Sequence, residues 1–137
     1  MNIFQAIRDD LVIAKDYQGR FYLPSRDFNN IPFWDFRRGY LVKVTQDANL
    51  LFYGHPAPQD TTIPLIEGWN MVAYFPDSAL EAPVAFHNLA DDLIVAKDGE
   101  GNFYLPAENF NSMPPLHRCA GYLVKVSRDV EFRWHIP

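Results

Sequence analysis

One pattern is written twice in this chain. Asp9-Asp10-Leu11-Val12-Ile13-Ala14-Lys15-Asp16 returns as Asp91-Asp92-Leu93-Ile94-Val95-Ala96-Lys97-Asp98. Phe21-Tyr22-Leu23-Pro24 returns as Phe103-Tyr104-Leu105-Pro106, and Gly39-Tyr40-Leu41-Val42-Lys43-Val44 as Gly121-Tyr122-Leu123-Val124-Lys125-Val126. Each pair is 82 positions apart, and laying residues 1–55 on 83–137 without a gap gives 22 identities. That density marks duplication, and a period this long is read before any local signal. In 137 residues an offset of 82 leaves one full unit, residues 56–137, and one incomplete unit, residues 1–55. The first copy has no counterpart of residues 61–82, which hold Ile63-Pro64-Leu65-Ile66-Glu67-Gly68-Trp69-Asn70-Met71-Val72-Ala73-Tyr74-Phe75-Pro76. Two related units are expected, packed as one pseudo-twofold domain.

Local patterns favour short strands cut by turns. Aromatics at 15% and 11 prolines suit strands and loops better than long helices. In the full unit, residues 62–66 and 69–75 read as strands separated by Glu67-Gly68. Pro83 suits the first turn of a helix of about two turns carrying Phe86 and Leu89, and Ile3, Phe4 and Ile7 repeat that spacing. Leu93–Lys97 is an apolar, β-branched run, followed by the turn Asp98-Gly99-Glu100-Gly101-Asn102 and a returning strand, Phe103–Leu105. Gly19 and Gly101 correspond, as a backbone site of positive φ would require. Gly121–Val126 and residues 130–134 complete the unit. About six strands and one short helix are expected per unit. The fold class is mainly β (α+β), a duplicated small antiparallel barrel or sandwich with an incomplete first unit.

The composition narrows function. A packed core suits 48% apolar and 21% charged residues. A net charge of −5 argues against nucleic-acid partners and anionic membranes, and no apolar run approaches the roughly 18 residues of a membrane span. The first ten residues lack the basic-then-apolar pattern of a signal peptide, and compartment stays open: cell surface or secreted for a fragment, cytoplasmic for a complete chain. The single Cys119 excludes an internal disulfide framework and a cysteine-rich zinc site.

No catalytic, cofactor or metal set converges. Asp98-x-Glu100-x-Asn102 has the oxygen spacing that opens a calcium loop, but the distal bidentate glutamate is missing and Arg20 stands at the matching place in the first copy. A hairpin turn accounts for it better. His117 and Cys119 could touch on an extended segment, yet the first copy has Asp35 and Arg37 there. Asp9-Asp10 and Asp91-Asp92 are adjacent carboxylates that diverge along the backbone, which suits turn hydrogen bonding better than glycoside chemistry. The recurring rings Tyr22, Tyr40, Tyr104, Tyr122, Phe28 and Phe110 favour core or interface roles over stacking on sugars. Ile31-Pro32-Phe33-Trp34-Asp35-Phe36 is a dense apolar run on a loop, with Trp34 and Phe36 in the first copy only. Phe33, Trp34, Phe36, Tyr40 and Tyr122 form the candidate contact surface.

The succession Gly68-Trp69-Asn70, Ile94-Val95-Ala96-Lys97-Asp98 with Gly101 and Tyr104-Leu105-Pro106, and Gly121-Tyr122 resembles repeats in the C-terminal parts of large secreted or cell-surface bacterial proteins. The resemblance covers the second unit almost throughout and residues 9–47 of the first. It implies a non-catalytic surface or adhesion-like module without cofactor. The leading expectation is therefore a repeat module acting through protein contacts, homo-oligomer formation included. The missing strands would leave a sheet edge open to pairing. Carbohydrate binding through exposed aromatics is the alternative.

Overall fold

The computed structural model describes residues 2–51 and 53–137. The chain divides into two compact units: Met1–Asp35 with Tyr40–Pro56, and Phe36–Gly39 with Ala57–Pro137.

In the first unit a 3-10 helix over Asn2–Ile7 precedes β1 (Leu11–Lys15), β2 (Phe21–Leu23), β3 (Phe28–Asn29) and β4 (Leu41–Val44). The strands form one antiparallel sheet in the order β3-β2-β1-β4. One face buries Phe4, Ile7, Leu11, Ala14, Tyr22 and Ile31 in a small core, with Trp34, Tyr40 and Val44 half-buried against it.

The second unit holds β5 (Ile63–Leu65), β6 (Gly68–Ala73), the one-turn helix α1 (Ala82–Ala85), β7 (Leu93–Lys97), β8 (Phe103–Leu105), β9 (Phe110–Asn111), β10 (Gly121–Val126) and β11 (Val130–Phe132). A five-stranded sheet runs β6-β10-β7-β8-β9, and β11 pairs with β5 in a separate two-stranded sheet. Both sheets bury residues in one core, with Ile63, Leu65, Val72, Val124, Val126, Phe132 and Trp134 among its members.

The architecture is thus mainly β with antiparallel sheets, and no sheet closes into a barrel among the described residues. The expected pair of strands around Glu67-Gly68 exists, but its members do not pair with each other. Gly68 adopts φ +93°, and this left-handed corner sends β5 and β6 into different sheets. The helix is shorter than two α-helical turns, because Ala82–Ala85 gives way to a 3-10 turn over His87–Leu89. Pro83 lies in its first turn. The last strand stops at Phe132, where its partner β5 ends.

The duplication repeats in atomic detail. The order β3-β2-β1-β4 matches β9-β8-β7-β10 strand for strand. Pro24 and Pro106 each open a 3-10 turn closed by a left-handed residue, Asp27 at φ 49° and Asn109 at φ 51°. Among the described residues the first unit has no strand in the place of β6. Its sheet ends at β4, whereas the identical run in the second unit lies between two neighbours.

Candidate functional site

The turns are built by carboxylates. Asp98 Oδ1 accepts the amides of Glu100 and Asn102 at 2.9 Å each, and Oδ2 accepts the Asn102 side chain at 2.9 Å. Asp16 does the same with Gln18 and Arg20, and the Arg20 guanidinium lies 2.6 Å from Oδ2. Partial burial pushes the Asp98 pKa up, but hydrogen bonds from Asn102, Glu100 and Gly101 outweigh it and leave the carboxyl below its ordinary value. These oxygens hold a turn together, and Gly19 and Gly101 take the expected positive φ, +81° and +87°.

The paired aspartates also serve junctions. The carbonyl of Asp10 accepts Thr45 N–H at 2.8 Å, and that of Asp92 accepts Ser127 N–H at 2.9 Å. Gln46 reaches the Asp10 carboxylate at 2.9 Å, where Arg128 reaches Asp92 at 2.8 and 3.1 Å. His117 donates from Nδ1 to the Arg118 carbonyl at 2.8 Å, and Cys119 is exposed at φ +70°. Among the described residues no three His, Cys, Asp or Glu side chains gather as a metal site would need, and no helix is long and apolar enough to cross a membrane. An open groove of about 520 Å³ runs past Leu65, Ile66, Asp129 and Glu131.

The five candidate contact residues separate by burial. Phe33 is exposed. Phe36 is also exposed, with its ring 6.1 Å from Phe75 within the second unit. Trp34 and Tyr40 are half-buried and stack on each other, 4.0 Å between centroids and 9° between planes. Tyr122 is buried, so it offers no surface: it faces the core of the second unit, with the ring of Tyr74 6.2 Å away. Both tyrosine hydroxyls accept a loop amide, Asp35 N–H on Tyr40 at 2.8 Å and His117 N–H on Tyr122 at 3.1 Å. Burial pushes the Tyr74 hydroxyl up to about 12, with Tyr122 adding to the shift.

The sheet edge expected to stay open for want of the missing strands falls on β4, whose residues are not among the candidate contact residues. Val124 is fully buried in its unit's core, on a strand flanked by β6 and β7, while Val42, in the same run, is 44% exposed. Leu41 and Lys43 are exposed beside it. Among the described residues β4 pairs only with β1, so its outer backbone edge has no strand beside it. Gly39-Tyr40-Leu41-Val42-Lys43-Val44 was visible as a repeat, but exposure depends on a neighbour that the run does not encode.

The second sheet carries further exposed aromatics. Trp69 on β6 is exposed, with the Lys97 and Lys125 ammonium groups 5.5 and 5.9 Å from its centroid. Phe110 is exposed and packs on Phe103 at 5.0 Å, as Phe28 packs on Phe21 at 5.1 Å. No family model, curated protein or solved structure matches this chain.

Proposed function

We propose that the chain is a non-catalytic β-rich repeat module that acts through protein–protein contacts, self-association included, at the open edge of its first sheet. The observation that carries this reading is the contrast between Val42 and Val124: one run of residues, covered in one unit and bare in the other. An edge strand with free N–H and C=O groups recruits another strand unless it is blunted by charge, proline or a bulge. β4 carries one charge, Lys43, and no proline. Its apolar neighbours Leu41 and Val42 give a partner surface to bury.

The test is amide exchange of Leu41–Val44 during sedimentation-monitored concentration or addition of a binding protein. Association should slow exchange in β4 before other exposed strands. Association that leaves β4 exchange unchanged would place the contact elsewhere and remove this reading. Carbohydrate binding rests on the exposed Trp69 ring. A glycan screen in which Trp69→Ala abolishes a signal would favour it.

A further inference from the structure

The second unit records what a strand of this sequence accepts at its edge. There β10 faces β6 in an antiparallel register that sets Leu123 opposite Met71, Val124 opposite Asn70, Lys125 opposite Trp69 and Val126 opposite Gly68. Carried onto β4, the register assigns four positions to an occupant: opposite Leu41, Val42, Lys43 and Val44. The lysines make the assignment selective. In the second unit Lys125 on β10 and Lys97 on β7 both bring their ammonium groups within 6 Å of the Trp69 ring, at 5.9 and 5.5 Å from its centroid. Their counterparts Lys15 and Lys43 stand on the adjacent strands β1 and β4, both exposed, and among the described residues no ring lies against them as Trp69 lies against Lys97 and Lys125. An aromatic side chain laid against two ammonium groups complements their charge with the negative face of its π-system.

The core-facing side is equally specific. Asn70 closes its own corner, donating to the carbonyls of Ile66 and Gly68 at 2.9 and 3.2 Å and accepting Ile66 N–H at 3.1 Å. A Gly-aromatic-Asn segment thus brings its turn with it and sets a small, self-satisfied side chain beside the paired valine. Beyond Asn70, the ring of Tyr74 lies 6.2 Å from that of Tyr122. In the first unit Trp34, in place of Leu116, already stacks on Tyr40. The occupant therefore needs no aromatic at that end, and the docking site is short.

We infer that the free edge of β4 takes an antiparallel strand of the Gly-aromatic-Asn type, carried by a separate polypeptide, with its ring laid against the ammonium groups of Lys43 and Lys15. This names the partner for the protein-contact reading above and rests on it. The probe is a synthetic peptide of residues 61–76, titrated into the isotope-labelled full chain and followed by amide shifts. Saturable shifts are expected at Leu41–Val44 and on β1. A peptide carrying Trp69→Ala should bind about tenfold more weakly. A full chain carrying Val42→Asp, exposed before binding and covered after it, should lose the shifts, and Lys43→Glu provides a second variant should the first fold poorly. Two outcomes overturn the inference: shifts confined to other elements, or equal binding by the Trp69→Ala peptide. If the peptide fails while β4 associates with a second copy or another protein, the strand type is wrong and the protein-contact reading stands. If β4 associates with nothing, both fall.

Discussion

Val42 and Val124 have the same neighbours in sequence and different surroundings, so they separate intrinsic preference from packing. Val124 lies fully buried between β6 and β7, where truncation leaves an unfilled volume. Val124→Ala should cost about 2 kcal/mol, and Val42→Ala about 0.5 kcal/mol or less, since much of its side chain already meets water. Urea denaturation of the two variants checks this, and equal losses would mean that β4 is covered. Other residues were legible from chemistry alone. Gly19 and Gly101 sit at positive φ as their turns demand, and Asp16 and Asp98 bond backbone amides rather than open a cation loop. Burial of the recurring rings was not legible: Tyr122 is enclosed and Phe110 exposed, a difference set by which face of which strand has a covering layer.

Hairpins are the elements that the sequence specifies most fully. The β7–β8 turn closes through Asp98 N–H to Asn102 C=O at 3.0 Å, with the Asp98 carboxylate bonded inside it. Asp98→Ala should cost about 1 kcal/mol, the net worth of turn hydrogen bonds of this kind. The pH dependence follows from the lowered Asp98 pKa. A carboxyl that ionises more readily folded than unfolded stabilises above its unfolded pKa, and that share is lost as pH falls through its folded one. Urea midpoints at neutral and acid pH check both: the difference between native chain and variant should shrink in acid. Elements lacking a local partner were harder to place. Residues 130–134 read as a strand, but pairing stops at Phe132 where β5 ends, and the corresponding residues 48–50 form no strand. A strand needs a ladder partner, and the first copy has no counterpart of β5 to supply one.

At the scale of the whole chain, the repeat boundary and the packing boundary differ. Phe36–Gly39 belongs to the first repeat by sequence and to the second unit by contact. Ala73 N–H donates to the Arg37 carbonyl at 3.0 Å, Arg38 reaches the Pro64 carbonyl at 2.6 Å, and Gly39 lies against Val72 and Gly121. A Cβ on Gly39 would come within 3.3 Å of Gly121 Cα and Val72 O, both backbone atoms with little freedom to move. Gly39→Val should therefore destabilise the second unit by about 1–3 kcal/mol, the usual range for overpacking. Fluorescence of the buried Trp134 against urea checks it, and an unchanged midpoint would contradict the close approach. The amino-acid sequence by itself determined the duplication, its 82-residue offset, the strand-and-turn alphabet and the missing stretch, because each is written in local order and spacing. Tertiary structure alone decided that β5 and β6 part into different sheets, that Phe36–Gly39 joins the second unit, and that the open edge falls on β4. Those outcomes depend on which backbone edges find partners, and an edge satisfied by a distant segment leaves no mark in its own residues.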